Sequence, residues 1–371
     1  MKPLPPFALE RFFDVHEFST EILLCASDVE PWTLGELLEL ASEDQQTRWE
    51  NLSLGYTHAA GHPSLRNQIA KLYDSLEPDD IITFSGAEEG IFAIANVLLG
   101  PGTHAIAVVP TYQSLFEVAT GTGADVTKVA LGPDWSFPLD DIATAIRPDT
   151  RLMIINSPNN PTGAVVSGDD LAELLRLCTE SGVTLLCDEV YRFLMHDERH
   201  PPPAADMSPR SVSLGVMSKS FALAGLRIGW IATGDRELIA RLAAFKDYTT
   251  ICSSAPSELL SEIALDNAGT ILKRSRAIVA ANLEVADAFF HKWDGAFRWT
   301  RPAGGTTAFP EFTSPYDIDE FAQQLVREEG VLLAPGSLFS WPGNHFRIGL
   351  GRSNFAAGIE RLDRFTETHF S

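Results

Sequence analysis

The stretch LMIINSPNNPTGAVVSGDDLAELLRLCTESGVTLLCDEVY, Leu152 to Tyr191, decides the fold. Its apolar run LMII ends in Asn156, Ser157 and Pro158, too short for a helix and bounded by turn residues, which predicts a buried strand. DDLAELLRLCTESG then carries its leucines at helical spacing, and TLLCDEVY begins a second apolar run. Strand, helix and strand in that order predict a crossover unit in a largely parallel sheet. The same alternation extends outward: IITFSG precedes AEEGIFAIANVLLG, and HAIAVVP precedes YQSLFEVATGTG. After Leu259 the pattern changes to a long helical segment through His291, followed by the strand-like pieces FRWT, TTAFPEF, GVLLAPG and HFRIGLG. The reading is an α/β fold: residues 45–260 form a large domain with a mostly parallel central sheet flanked by helices, and residues 1–44 and 261–371 form a smaller α+β domain.

A chain of 371 residues exceeds the size at which one core stops growing, which agrees with two domains. The 28 Lys and Arg against 50 Asp and Glu give a net charge of −22, which disfavours nucleic acid and anionic lipid as partners. No apolar window reaches membrane-spanning length. The N-terminal MKPLPPFALERFFDVHEF has prolines and charges where an export leader needs an apolar run, so the expected compartment is the cytoplasm. Cys25, Cys178, Cys187 and Cys252 are widely spaced without a CxxC pair and read as reduced, apolar filler. HDERH, His196 to His200, runs into three prolines and predicts no helical metal site, and GTGAD at Gly121 lacks the third glycine of a dinucleotide fingerprint.

Four polar residues stand at the ends of apolar runs, where this architecture binds ligands. INSPNNPTG holds Asn160 in a proline-fixed turn, LLCDEVY ends a strand in Asp188, and VMSKSFALAGLRIGW carries Lys219 and Arg227. Each alone reads as a turn, a cap or a solvated charge. Together, an amine, a carboxylate, a carboxamide and a guanidinium are what pyridoxal phosphate requires: a Schiff-base lysine, a partner for the ring nitrogen, a donor to the ring oxygen and a phosphate clamp. TFSGAEEG adds a strand-to-helix turn in which Gly86 and Ala87 can bring free amides to a phosphate, although Ser85 and Glu88 could equally form a capping box. Tyr112 in PTYQSL is placed to stack on a cofactor ring or to pack in the core.

PNNPTG, CDEVY and SKSFALAGLRIGW, in this order and spacing, together with GYTHAAGHPSLRNQIA, resemble the class I/II aminotransferases of fold type I, over about Leu54 to Arg352. The resemblance implies pyridoxal 5'-phosphate as cofactor, with Lys219 bonded to it, Asp188 on its ring nitrogen, and Asn160 and Tyr191 on its phenolic oxygen. It implies Tyr112 against the ring, Gly86, Ala87 and Arg227 on the phosphate, and Arg347 on the substrate carboxylate. Tyr56 is implied to reach the phosphate of a neighbouring subunit, hence a homodimer. Val216 stands where family members often carry a phosphate-binding serine, and Ser218 is a candidate replacement. The family's glycine-containing substrate loop is replaced by LCASDVEPWTLGELL, in which Asp28 and Glu30 are expected either to face the pocket and favour a cationic side chain or to cap the following helix. The implied activity is ping-pong transfer of an amino group from an amino acid to a 2-keto acid. The alternative is elimination or cyclisation of a basic amino acid such as hydroxyarginine. A regulator built on this domain would need a basic DNA-binding module, and the residues before Leu54 are too few and too acidic.

Overall fold

The computed structural model describes residues 2–197 and 200–370. Seven strands form one sheet: β1 (Ile81–Phe84), β2 (His104–Val109), β3 (Asp125–Ala130), β4 (Thr150–Asn156), β5 (Thr184–Asp188), β6 (Ser211–Val216) and β7 (Gly229–Ala232), in the spatial order β1-β7-β6-β5-β4-β2-β3. Only β7 runs against its neighbours. Helices cover both faces, so β5 and β6 are buried along nearly their whole length and read as continuous apolar runs.

The crossover from β4 to β5 illustrates how local signals set this frame. Ser167 caps the helix Gly168–Ser181 by accepting from the Asp170 amide, and Gly182 ends it in the left-handed conformation that glycine enters without strain. Leu171, Leu174, Leu175 and Cys178 fall on one face and pack against Ile155 and Leu185. Burying each leucine contributes roughly 1.5–3 kcal/mol. The result is a register that sets Asn156, the last residue of β4, beside Asp188, the last of β5.

Past the sheet, Ala255–Asp266 and the 25-residue helix Ala268–Lys292 lead to short strands β8 (Phe297–Arg298), β9 (Thr307–Ala308), β10 (Glu311–Phe312), β11 (Ala334–Pro335) and β12 (Phe346–Gly349). These pair as β10-β8 and β11-β12-β9 beside the final helix Phe355–Phe370. Ile22, Leu24 and Val29 join the core of this part, among Phe297, Phe321 and Phe346. Leu37 and Ala41 pack instead against Leu65 and Trp230, beside the large sheet. The long helix serves both cores: Ile271 and Leu272 lie with Trp230, and Val279 to Phe290 with the phenylalanines.

The four cysteines are free thiols, three of them buried. Among the described residues no helix is long and apolar enough to cross a membrane, and no His, Cys, Asp and Glu group could hold a metal ion. In HDERH, His196 bonds the carbonyls of Pro302 and Gly305, while Glu198 and Arg199 lie outside the described residues.

Candidate active site

A cavity of about 380 Å³ opens at the carboxyl ends of the parallel strands, where the topology requires a ligand crevice. The loops after β1, β4, β5 and β6 and the turn before β7 bring Ala87, Asn160, Asp188, Tyr191, Ser218, Lys219 and Arg227 to its wall. Tyr112 and Asp28 also line it.

Asn156 organises the floor. Its side-chain amide donates to the Asp188 carbonyl at 2.9 Å, and its Oδ1 accepts the Asn160 amide at 2.6 Å, so one side chain ties the two loops together. Asp188 Oδ1 accepts the Val190 amide at 3.2 Å, and burial raises the carboxyl to about 7 against the opposing pull of that amide and of Lys219. A buried acid in this state calls for a cationic partner. The Lys219 Nζ donates to Ser27 Oγ at 2.8 Å, and the Tyr191 hydroxyl donates to the Ser27 carbonyl at 3.0 Å.

An anion cradle lies at the other end. Gly86 is the N-cap of the helix Ala87–Leu98, and among the described residues no side chain bonds its first amides, so the expected box between Ser85 and Glu88 does not form. Glu89 takes the Ser85 amide, and Glu88 turns to Ser114, which donates to it at 3.0 Å. Gly86 has φ +82°, and a Cβ on it would lie 2.5 Å from Arg227 Nη2, so the guanidinium rests against bare backbone. Ser218 Oγ is buried without a hydrogen-bond partner among the described residues, whereas Val216 offers only apolar surface to the cavity. Free amides, a guanidinium and an unspent hydroxyl suit a phosphate. With an amine for the aldehyde and a buried carboxyl for the ring nitrogen, the residues fit pyridoxal phosphate.

Other expected residues stand differently. Arg347 is fully buried and does not line the cavity; it donates twice to the Cys25 carbonyl, at 3.1 and 2.8 Å, and once to Asn160 Oδ1 at 3.0 Å. Tyr112 lines the wall with its ring tilted on Phe7 and its hydroxyl bonded to Glu10 at 2.9 Å. Glu30 does not face the cavity: its Oε2 accepts the amide and hydroxyl of Ser353, at 3.0 and 2.9 Å, because the loop turns it toward the final helix. Neither acid caps the next helix, a place taken by Thr33 with Glu36 in a capping box. Asp28 reaches the wall but is paired with Arg352 at 2.8 Å. Tyr56, 90% exposed, lies elsewhere on the surface.

Sequence reasoning passed over Ser27, Glu10 and Glu17, all on the cavity wall. Glu10 and Glu17 belong to the turn and helix Ala8–His16 and its end, which Gln113 ties to the large sheet by accepting from the Ala8 amide and donating to the Pro6 carbonyl. Their spacing of three and four residues from Phe13 is an amphipathic signal, but nothing local says what the helix covers.

The profile of the family "Aminotransferase class I and II" matches residues 22–360. Capreomycidine synthase of Streptomyces vinaceus is 30% identical over 374 aligned residues, covering 99% of this chain and 95% of that protein. Among solved structures, a PLP-dependent aminotransferase from Streptococcus suis superposes with a TM-score of 0.94 at 30% identity, covering 99% of each chain. The PLP-dependent cyclase OrfR superposes with a TM-score of 0.91 at 26% identity, covering 99% of this chain and 98% of the other.

Proposed function

Because the chain belongs to the class I and II aminotransferases and is a pyridoxal-phosphate-dependent enzyme, we propose that it moves the amino group of an amino acid to a 2-keto acid by a ping-pong route. The observation that carries this reading is the convergence of Lys219, Asp188, Asn160, Tyr191 and Arg227 on one cavity at the strand ends. The cofactor, when bound, supplies a ring that draws electrons from the Cα–H bond of an amino acid joined to it.

The chain's own groups have separable tasks. Lys219 would bond the cofactor and, once displaced, carry the proton from Cα. Asp188 would hold the proton of the ring nitrogen, for which a buried carboxylate is suited because the low dielectric strengthens the pairing. Arg227, the amides at Gly86 and Ala87, and Ser218 would hold the phosphate; Asn160 and Tyr191 would bond the ring oxygen, and Tyr112 would pack on the ring. Arg347 would fix the substrate carboxylate by way of the Asn160 corner that it supports. Borohydride reduction of the holoenzyme and peptide mapping test the first assignment: a pyridoxyl group on Lys219 is expected, and none there would remove the reading.

Glu10, Glu17 and Asp28 on the same wall favour a second reading, in which a basic amino acid such as hydroxyarginine loses its β-hydroxyl as water and closes a ring through its guanidine. The likeness to capreomycidine synthase over nearly the whole chain points the same way. Single-turnover absorbance separates the two. Conversion to the aminated cofactor, reversed by a keto acid, marks transfer; turnover to a cyclic product without amination of the cofactor marks the alternative.

Tyr56 has neighbours suited to a homodimer. Leu54 is 83% exposed, and the surface around Tyr56 continues to Cys252, Ala255 and Pro256. Pairing through this face would let Tyr56 reach a second copy's phosphate site. Turnover of free amino acids is compatible with work in the cytoplasm.

A further inference from the structure

The hydrogen bond from Lys219 Nζ to Ser27 Oγ, 2.8 Å long, is the one that this amine makes among the described residues. No carboxylate is ion-paired with it among those residues; the nearest aromatic face, Tyr191, lies 5.8 Å away. The hydroxyl sits on backbone held residue by residue. Arg347 grips the Cys25 carbonyl with two donors. Ala26 packs so closely on Gly349 that a Cβ there would lie 1.7 Å from its carbonyl oxygen. The Ser27 carbonyl itself takes two hydroxyl donors, Tyr191 at 3.0 Å and Thr306 at 2.7 Å.

A hydroxyl differs from a carboxylate as a partner for an amine that must alternate between proton-bearing and proton-free states. A carboxylate favours the charged form and holds it there. A serine accepts from an ammonium and, by rotating its O–H, donates to a neutral amine, so it keeps the nitrogen in place through both states. Ser27 Oγ has no acceptor for its own proton among the described residues, which leaves that rotation open.

We infer that Ser27 is a positioning residue for Lys219: it holds the amine where it can take up and return the substrate's Cα proton after release from the cofactor. The inference rests on the reading of Lys219 as the cofactor-bonding lysine. Loss of positioning slows proton transfer without weakening binding, since misplacement by about 1 Å costs up to about a hundredfold in rate.

The test compares Ser27→Ala and Ser27→Thr holoenzymes with wild type. Three measurements are made: the pH titration of cofactor absorbance without substrate, kcat and KM with an α-deuterated and an ordinary amino acid, and the dissociation constant of pyridoxal phosphate. Ser27→Ala is expected to shift the resting titration, to lower kcat by about tenfold or more, and to raise the deuterium isotope effect, with KM and cofactor affinity within about threefold. Ser27→Thr, which keeps the hydroxyl, is expected to restore most of kcat. An unchanged titration and isotope effect in Ser27→Ala would overturn the inference, as would a loss of cofactor binding that matches the loss of rate and is not rescued by threonine. The titration needs no turnover, so it reads Ser27 even if no amino acid tested is a substrate. A wild-type enzyme with no pyridoxyl group on Lys219 after borohydride would overturn the parent reading instead.

Discussion

Arg347 donates to Asn160 Oδ1 at 3.0 Å from a fully buried position, and so couples the core of the smaller part to the proline-rich turn after β4. Burial presses the guanidinium below its ordinary range, and the partners that justify its presence are the Cys25 carbonyl and Asn160. Arg347→Met leaves both acceptors buried without donors, at about 1–3 kcal/mol each, and is expected to lower stability by about 2–6 kcal/mol. Arg347→Lys, with a point charge in place of the fork, is expected to recover only part of this. Urea unfolding of the three proteins measures the loss. With a substrate in hand, the same variants should raise KM more than they lower kcat.

Gly86→Ala is expected to weaken cofactor binding. The new Cβ would stand 2.5 Å from Arg227 Nη2, and φ +82° is strained for alanine by roughly 1–2 kcal/mol. Pushing the guanidinium off the cradle should raise the dissociation constant of pyridoxal phosphate by about tenfold, equivalent to about 1.4 kcal/mol. Titration of the apoprotein with cofactor, followed by absorbance, reports the change.

Much of this fold is legible in the sequence because the buried strands are apolar runs and the crossover helices carry clear caps. β3 is the exception. Its residues are mostly exposed or half-exposed at the sheet edge, and DVTKVA lacks the continuous apolar character that marks β4 and β5. β7 is short and enters from the left-handed Arg227, so it reads as a continuation of the motif that carries Arg227. The cavity-lining Asn160, Asp188, Lys219 and Arg227 are legible since each flanks an apolar run. Ser27, Glu10 and Glu17 are not, because their position depends on how a segment far away in sequence folds back across the crevice. Glu30 was misplaced for the same reason: two acids two residues apart in an irregular loop give no clue that one meets Arg352 and the other Ser353.

The apoprotein should show a pH dependence of stability traceable to Asp188. Burial raises its carboxyl to about 7, with Glu189 and Glu88 adding to the rise and Val190 and Lys219 opposing it. From the ordinary aspartate range, near 3.8, up to about 7, the folded chain therefore holds a proton that the unfolded chain has released. Stability from this group is complete below that window and declines as pH rises through it. Asp188→Asn is expected to flatten the slope between about pH 4 and 7. Denaturant midpoints of the two apoproteins, measured across the window, make the comparison. Equal slopes would show that the carboxyl does not titrate there.

The proposed pairing of two copies through the Tyr56 face makes a hydrodynamic prediction. Leu54→Glu, beside Tyr56, places like charges on both sides of a symmetric contact and exposes no core residue, since the side chain is already at the surface. Sedimentation is expected to change from dimer to monomer, with the unfolding midpoint of the monomer close to that of a single chain. Tyr56→Phe should leave the dimer intact and weaken cofactor binding by about 1 kcal/mol, the worth of one hydroxyl hydrogen bond. A wild-type protein that sediments as a monomer at micromolar concentration would exclude the arrangement.

Glu17 decides between the two chemical readings more sharply than Asp28. It makes no side-chain hydrogen bond or ion pair among the described residues, and its carboxyl is raised by burial and by the neighbouring Asp28 and Glu10, so negative charge is crowded at that corner of the cavity. A substrate cation would relieve the crowding. Asp28 is already offset by Arg352 and has less attraction to give. Glu17→Gln is therefore expected to lower kcat/KM for arginine or hydroxyarginine by about tenfold, in the range of a partly screened charge-assisted hydrogen bond, and to leave neutral amino acids within about twofold. Asp28→Asn should have a smaller effect on that ratio. Equal losses across basic and neutral substrates would mean that the acidic wall does not read the side chain, and the transamination of an uncharged amino acid would then be the better account.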